Sequence, residues 1–404
     1  MIGRAGLMPR VPAFVVLAFV VLSGVGVWGG GVLQAEVRVQ TDHAGGNGVI
    51  EAMKPGLIRL RPDLRDTRPD WFYWNIRVTG AEGTTVRFQC PADVFGPLGP
   101  AISRDDGMTW NWLGREAVRA NGFAVDFASN EKGVRLAFCI PHTGADLERF
   151  LHERRDQGGL RVETLCRSRG GRPVPRLRVG AVDGEPRHRV LLVARHHACE
   201  SMASFTLEGV IDEILGESPE GRWLRSEVEF LIVPFMDRDG VEAGDQGKLR
   251  QPHDHWEDYA PPGIYPETRA LREYVPGWAG DRLRLALDVH CPSRLDQELY
   301  FAATGKGEVH QKLARLAVDL EQLPGREVPF RKDSTLAFGK GWNTPAYYGP
   351  RVCFMNWAEG LAGSPAAGTL EVPYARTGET VMTPDVARRL GADLARAIQR
   401  YLRP

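Results

Sequence analysis

The sequence lacks an excess of either charge, and it contains few cysteines. Its 404 residues include 51 basic and 51 acidic side chains, so the formal net charge is zero. A neutral chain creates no overall positive field that would attract nucleic acid or an anionic membrane. Six cysteines without a C-x-x-C pair exclude a disulfide-framework miniprotein and a zinc ribbon built on such a pair. We therefore predict no nucleic-acid partner.

The composition does not indicate disorder either. Hydrophobic residues make up 43% of the chain and charged residues 25%, which is typical of a packed globular protein. At roughly 150 residues per domain, the length predicts two or three domains.

The N-terminus resembles a targeting segment. Arg4 and Arg10 precede an apolar run over residues 11–27, and a glycine-rich stretch then leads to Ala35. This order predicts a secretory signal peptide over residues 1–35, and hence an exported protein, periplasmic or extracellular. Without cleavage, the run approaches the roughly 18 residues that span a bilayer and would anchor the chain. No later segment is long and apolar enough to span a membrane, so we expect no stable span after cleavage.

Residues 36–165 show a period of two. Short segments of alternating apolar and polar residues are separated by clusters of Gly, Asp and Asn, at 57–60, 71–78, 85–88, 123–127 and 134–138. This pattern predicts an N-terminal antiparallel β-sandwich domain.

Residues 166–404 alternate between strand and helix patterns. Apolar runs at 190–194, 228–233, 285–289, 352–355 and 369–372 predict buried strands, and helical periods cover 201–215, 267–274, 308–323 and 383–402. The predicted fold is an α/β domain with a mixed central sheet and helices on both faces. In such folds, sites form where loops leave the carboxyl ends of strands.

Metal-ligand residue types stand at two of these strand ends. His197 and Glu200 follow the strand that ends at Ala194, and His290 follows a second apolar strand. An H-x-x-E pair alone is also typical of a capped helix start with a surface histidine. Two histidines and one glutamate, with a water in the fourth position, form a typical catalytic zinc set. We therefore predict one Zn²⁺ per chain.

Further motifs follow in a fixed order: a D-x-D-G-V turn at 237–241, a histidine after a strand, and T-L-E-V-P-Y at 369–374. With H-x-x-E and the stretches 71–73 and 103–112, the chain resembles the M14 family of zinc carboxypeptidases. The likeness is to the cytosolic-carboxypeptidase-like branch, which carries an N-terminal β-sandwich domain. It covers nearly all of the chain after residue 35.

The resemblance implies specific roles. His197, Glu200 and His290 would bind the zinc, and Glu371 would be the general base that takes a proton from zinc-bound water and returns it to the leaving amine. Asp254 would accept the second N–H of the first histidine. Either Lys248 or Arg250 would face the oxyanion, and the residues alone do not decide between them. The implied activity is that of a metallocarboxypeptidase, which hydrolyses peptide bonds near a C-terminus of a peptide or peptide-like substrate.

One departure bears on the substrate. Family members usually carry Asn-Arg after this aspartate to bind the substrate's C-terminal carboxylate, but Trp256 and Glu257 stand here. Three alternatives stay open: another arginine such as Arg294 or Arg269 substitutes, the chain is a zinc amidohydrolase or deacylase that needs no free carboxylate, or it only binds. Tyr347 would line the substrate cleft or belong to the core.

Other candidates lie beside these residues. We expect His196 not to be a ligand, because adjacent histidine side chains diverge at a turn. We expect the same of His253 and His255, because the set is complete without them. Cys199 and Cys291 each neighbour a ligand, and the sequence leaves open whether they form a disulfide or stay thiols.

Overall fold

A computed structural model describes residues 36–68, 71–303 and 307–403. The predicted leader, residues 1–35, lies outside the described residues. The described residues form one compact unit, and the predicted domain boundary after residue 165 stays a prediction. No helix in the described part of the chain has the length and apolarity needed to cross a bilayer.

The N-terminal region consists of two sheets. Its strands are β1 (Arg38–Gln40), β2 (Val49–Lys54), β3 (Leu57–Arg61), β4 (Asn75–Thr79), β5 (Thr85–Gln89), β6 (Ala101–Ser103), β7 (Asn111–Trp112), β8 (Gly122–Asp126) and β9 (Val134–Ala137). One sheet has the order β1-β4-β9-β6-β7 and the other β2-β3-β5-β8. The predicted antiparallel pairing is confirmed except at β3 and β5, which run parallel.

The period-two pattern of this region reflects burial on one face. In β9, Val134 and Leu136 are buried, whereas Arg135 between them is partly exposed. Aromatic rings fill the space between the sheets, with Phe88 and Phe123 stacked at 4.8 Å between centroids and Trp74 at 6.0 Å from Phe123. The sheets therefore share one apolar core.

The rest of the chain alternates helices with strands. The elements are α1 (Gly144–Arg154), β10 (Leu160–Arg167), β11 (Pro173–Gly180), β12 (His188–Ala194), α2 (Met202–Leu215), α3 (Pro219–Glu227), β13 (Val228–Val233), α4 (Arg238–Ala243), α5 (Pro266–Ala279), β14 (Leu283–His290), β15 (Tyr300–Ala302), α6 (Glu308–Glu321), α7 (Pro345–Tyr348), α8 (Phe354–Glu359), β16 (Ala366–Glu371), β17 (Arg376–Thr377), β18 (Thr380–Val381) and α9 (Pro384–Leu402). Three short 3₁₀ helices, at Arg115–Ala117, His255–Glu257 and Lys332–Ser334, lie in loops.

A mixed seven-stranded sheet organises this region, in the order β10-β11-β13-β12-β14-β16-β15. Strands β13, β12, β14 and β16 are parallel neighbours, while β10, β11 and β15 add antiparallel pairs at the edges. The prediction of a mixed central sheet is confirmed.

The central strands read as continuous apolar runs because both faces are covered. In β12, Val190 and Leu192 belong to one core cluster, and Leu191 and Val193 belong to the other. Helices α2, α6 and α9 contribute to the first cluster, and α5 and α8 contribute to the second. Alternate side chains of a strand point to opposite faces, so each face buries half of the run.

One predicted strand is wrong. Residues 352–355 form no strand of the sheet: Val352 makes an isolated bridge with Asp258, and Cys353 caps helix α8. A buried apolar run of four residues does not distinguish a strand from a helix start, because neither period is visible over that length. Helix α1 was also not predicted within the N-terminal region.

Candidate metal centre

Three predicted ligands meet at the carboxyl ends of neighbouring parallel strands. His197 and Glu200 lie in the turn between β12 and α2, and His290 is the last residue of β14. His197 Nδ1 is 2.9 Å from Glu200 Oε1, and His290 Nδ1 is 2.8 Å from Glu200 Oε2 and 3.2 Å from His197 Nδ1. All three side chains are buried. Two imidazole nitrogens and a carboxylate facing one point are the donor chemistry that zinc prefers, so the residues present fit the ion.

The second nitrogen of each ligand imidazole faces a carboxylate. His290 Nε2 lies 2.6 Å from Asp288 Oδ2, and His197 Nε2 lies 3.7 Å from Asp254 Oδ2. Such partners fix the ring orientation and leave Nδ1 for the metal. Asp254 thus lies close to His197 without a hydrogen bond to it, and its role as the partner of that ring stays a prediction. Asp288 was missed, although a charged residue two positions before His290 in an apolar strand, and so on the same face, was a usable signal.

The charges of this cluster are strongly coupled. Burial by itself lowers the pKa of His290, but the carboxylates of Asp288 and Glu200 outweigh it and raise that pKa well above its ordinary value. Burial raises the pKa of Glu200, yet His197, Lys248 and His290 bring it well below the ordinary range. In the metal-free protein these carboxylates favour the protonated form of His290, and a cation at its Nδ1 would take the place of that charge.

The other histidines have partners of their own. His196 Nδ1 lies 2.8 Å from Asp288 Oδ2 and its Nε2 lies 2.7 Å from the Tyr259 hydroxyl. His253 Nε2 lies 2.6 Å from an oxygen of Asp258, and the ring of His255 stacks on Tyr265. His196, Asp288 and His290 form a second group with metal-binding spacing, but it shares His290 with the first.

Glu371 ends β16 directly beside the ligands. It pairs in register with His290 of β14 and its side chain is buried. Burial raises the pKa of Glu371 to about 7; His290 opposes this shift and the Glu200 carboxylate adds to it. A carboxyl that titrates near neutrality can both accept and donate a proton.

The structure separates Lys248 from Arg250. Lys248 Nζ lies 3.2 Å from Glu200 Oε1. Burial lowers the pKa of Lys248, but Glu200, Tyr347 and Glu371 outweigh burial and raise that pKa above its ordinary value, so the amine is charged. Arg250 instead forms ion pairs with three carboxylates, those of Asp66, Asp237 and Asp245, at 3.0, 2.6 and 2.8 Å. Lys248 is thus the cation beside the ligands, and Arg250 belongs to a neighbouring charge network.

Trp256 lies beside the ligand histidines, and Glu257 follows it in the chain. The buried Trp256 ring is 6.4 Å from the His197 ring and 6.0 Å from the Tyr347 ring, between centroids. The Glu257 carboxylate is paired with Arg351, whose Nη1 lies 2.6 Å from Oε2. Partial burial raises the pKa of Tyr347 to about 12; Lys248 opposes the shift, and Asp254, Glu371 and Glu257 add to it. The Tyr347 hydroxyl therefore lies within the electrostatic range of Asp254 and Glu371, near the candidate ligands, and of Glu257.

Sequence reasoning missed Arg351 and named other arginines. Arg294 donates to the Phe95 carbonyl at 3.5 Å, and Arg269 donates to the Gly263 carbonyl at 3.1 Å; neither contact involves Glu257. Arg351 lies 94 residues after its partner, so no local pattern connects the two.

The six cysteines, all within the described residues, are free thiols. Cys199 and Cys291 form no disulfide, and Cys199 Sγ lies 3.6 Å from the Tyr374 hydroxyl. Burial raises the pKa of both thiols, which disfavours the thiolate.

The site lies at the carboxyl ends of parallel strands on an α/β fold. It combines two histidines and a glutamate with a second buried carboxyl and an ammonium, which is the arrangement of a metallohydrolase-type site. The family follows from comparison. Residues 147–259 match the Peptidase_M14 family, described as zinc carboxypeptidase, which confirms the resemblance predicted from the sequence.

Curated relatives agree with this family. The chain is 25% identical to cytosolic carboxypeptidase 2 of Xenopus tropicalis over 52% of its own length and 25% of the relative's. It is 24% identical to human cytosolic carboxypeptidase 6, over 70% of this chain and 58% of the relative. The chain therefore spans less than two thirds of these relatives' length.

Solved structures agree with the fold. A metallo-carboxypeptidase of Burkholderia cenocepacia superposes with a TM-score of 0.74 at 20% identity, over 91% of this chain and 98% of that chain. A metallo-carboxypeptidase of Pseudomonas aeruginosa, solved in complex with (2-guanidinoethylmercapto)succinic acid, gives 0.72 at 19% identity, over 91% and 100%. The predicted zinc-carboxypeptidase-like fold is confirmed.

The predicted localisation is wrong. The curated relatives that align with the chain are named cytosolic carboxypeptidases, which contradicts an exported protein. A basic and then apolar N-terminal stretch is a short compositional pattern, and composition alone indicates export only weakly.

Proposed function

We propose that the chain is a zinc-dependent metallocarboxypeptidase that hydrolyses peptide bonds near a C-terminus. The observation that carries this proposal is the convergence of His197 Nδ1, His290 Nδ1 and Glu200 within 3.2 Å of one another, with Glu371 in register beside His290. His197, Glu200 and His290 would hold one zinc ion.

Each neighbouring side chain then has a defined task. When bound, zinc polarises the scissile carbonyl and lowers the pKa of water towards 7. Glu371 accepts the proton of the attacking water and donates it to the leaving amine nitrogen, which its pKa of about 7 allows in both directions. The Lys248 ammonium stabilises the negative charge that develops on the carbonyl oxygen. Asp288 and Asp254 hold the two imidazoles in orientation.

Arg351 is our candidate for the anchor of the substrate's carboxylate. Glu257 alone would repel that group, but its charge is balanced by Arg351 at 2.6 Å, and the Arg351 side chain is 42% exposed. A guanidinium has five N–H donors. Those of Arg351 bond Glu257 and the Pro252 carbonyl, so the planar group can serve a second carboxylate. The positive charge expected at position 257 would thus come from residue 351.

The test combines metal content with product identification. The full chain is assayed for zinc by elemental analysis and for hydrolysis of a peptide library with matched free and amidated C-termini, read by mass spectrometry. We expect about one zinc per chain and removal of C-terminal residues from free termini. Glu371→Gln should retain zinc and lose roughly 10²- to 10⁴-fold in kcat, because only the proton transfer is removed.

Glu379→Gln is the matched control, since the Glu379 side chain is fully exposed and forms a surface ion pair with Arg376. It should leave both zinc content and kcat unchanged. Absence of stoichiometric zinc, or wild-type kcat in Glu371→Gln, would contradict the proposal.

The second candidate is a zinc amidohydrolase or deacylase that needs no free carboxylate. Glu257 at the position of the expected arginine favours it. Equal turnover of the free and amidated peptides would support this candidate, whereas strict dependence on the free carboxylate would reject it. A chain that binds peptide and hydrolyses none would be a binding protein on this fold.

A further inference from the structure

The Lys248 loop, residues 244–250, is bound by a segment of the N-terminal region. Asp66 Oδ1 accepts the Gln246 amide N–H at 3.1 Å, and Oδ2 accepts that of Gly247 at 2.8 Å. The Gln246 side chain bonds both backbone groups of Tyr73, at 2.9 and 2.8 Å. These hydrogen bonds join the loop to one stretch of the N-terminal region, and Arg65 of the same stretch adds an ion pair with Asp245 at 2.8 Å.

Lys248 itself is held at both ends. The Thr67 hydroxyl donates to the Lys248 carbonyl at 2.5 Å, and the Lys248 ammonium lies 5.0 Å from the centre of the Trp71 ring, within the range of a cation–π contact. The same ammonium lies 3.2 Å from Glu200. Backbone and side chain are thus fixed from the N-terminal side while the charge faces a metal ligand.

The opposite side of the loop packs on the ligand-bearing turn. Gly247 has φ +81°, and a Cβ there would lie 2.1 Å from the Ala198 nitrogen. The Cys199 amide donates to the Gln246 carbonyl at 3.2 Å. The Lys248 loop therefore lies between the N-terminal segment and the turn that carries His197 and Glu200.

Asp66 is the centre of these contacts. Its side chain is 10% exposed, and besides the two amides it accepts the Arg250 Nε–H at 3.0 Å. Removal of this carboxylate would leave three donors unpaired in a largely buried place, which is costly.

We propose that Asp66, with Thr67 and Trp71, is a positioning residue for the reaction: it orders the Lys248 loop so that the ammonium stays beside Glu200. The N-terminal region is then a component of the active site. The kinetic part of this inference rests on the proposed function, and the ordering of the loop does not.

Hydrogen exchange tests the ordering without any substrate. Deuterium uptake is followed by mass spectrometry in peptides covering residues 244–250 of the full, zinc-loaded chain. We expect slow uptake in the wild type and faster uptake in Asp66→Ala. Asp126→Ala is the matched control, because Asp126 is an exposed carboxylate of the N-terminal region whose side chain accepts a hydrogen bond from Thr85. Unchanged uptake in Asp66→Ala would overturn the proposal.

A double-mutant cycle tests the positioning. Asp66→Ala should lower kcat by roughly 10- to 100-fold with KM and zinc content near wild type, because the loss arises in the transition state. In a Lys248→Met background the same substitution should have little further effect, since groups that act as a unit are non-additive. Thr67→Val should show a smaller loss of the same kind, and Thr67→Ser should restore activity.

The other possible results of these two experiments also test the positioning role of Asp66. Faster uptake with wild-type kcat, or full additivity with Lys248→Met, would overturn the positioning role. If the wild type hydrolyses no peptide, the proposed function fails, and the exchange data alone decide whether Asp66 orders the loop.

Discussion

At the scale of single residues, a side chain's charge is balanced by partners that lie far away along the chain. Glu257 stands where the family pattern has arginine, and the structure pairs it with Arg351. Lys248 and Arg250 differ by two positions, yet one faces Glu200 and the other is surrounded by three aspartates. The type of a residue therefore limits its chemical role, and its neighbours in space determine whether it has that role.

Arg351→Ala is the prediction at this scale. If Arg351 anchors the substrate carboxylate, KM for peptides with a free C-terminus should rise roughly 10- to 100-fold, because a charged hydrogen bond contributes about 1.5–3 kcal/mol. Values of kcat, and turnover of amidated peptides, should change little. Steady-state kinetics on matched peptide pairs measures this.

Arg389→Ala is the control for this change, because Arg389 forms an exposed ion pair with Glu327. It should leave both substrates unaffected. An equal rise of KM for free and amidated peptides would show that Arg351 does not read the carboxylate.

At the scale of elements, the Lys248 loop packs against the turn that carries His197 and Glu200 because it has a glycine at the point of contact. Gly247 is left-handed, and its missing side chain makes room for the backbone of Ala198. Gly171, between β10 and β11, has nearly the same φ of +79°, but a Cβ added there would meet no other described atom within 4 Å. A comparison of alanine substitutions at the two glycines therefore distinguishes the cost of backbone strain, which both share, from the cost of a steric clash, which only position 247 has.

Gly247→Ala should be far more damaging than Gly171→Ala. Both place a Cβ on left-handed backbone, at about 1–2 kcal/mol, but only at position 247 must the loop move away from the ligands. A displacement of about 1 Å can cost about 100-fold in rate. Urea unfolding and kcat/KM of both variants provide the measurement, and equal effects at the two positions would contradict the steric account.

At the scale of the whole molecule, metal binding is linked to pH and stability through His290. The raised pKa of His290 in the metal-free protein means that its ion pairs stabilise the fold fully below its unfolded pKa, near 6.5. That contribution is lost as the pH rises through the folded pKa. Zinc must displace one proton from Nδ1, so its affinity should rise about tenfold per pH unit below the raised pKa.

Calorimetry should therefore find a larger gap in Tm between zinc-loaded and chelator-treated protein at pH 8 than at pH 6. Zinc at 100 times its Kd adds about 2.7 kcal/mol. The gap should be small at both pH values in His290→Gln, which lacks a zinc ligand, and should keep its pH dependence in His152→Gln, which alters an exposed histidine of α1. A gap independent of pH in the wild type would refute the link.

Most elements, and the residue types of the candidate site, could be predicted from the sequence alone. Apolar runs and helical periods predicted most strands and helices, because burial on one or both faces leaves a period in the chain. His197, Glu200 and His290 could be grouped as candidate ligands because each follows an apolar strand, and strand ends converge in a parallel sheet. The short run at 352–355 was misread because four residues carry no period.

A choice between residues with the same chemistry required the three-dimensional fold. It brings Lys248, and not Arg250, to Glu200; it supplies Asp288 as the partner of His290; and it joins Glu257 to Arg351 and Asp66 to the Lys248 loop. These contacts connect residues of different elements. Electrostatic and hydrogen-bond energies depend on separations of a few ångströms in space, which spacing along the chain does not specify.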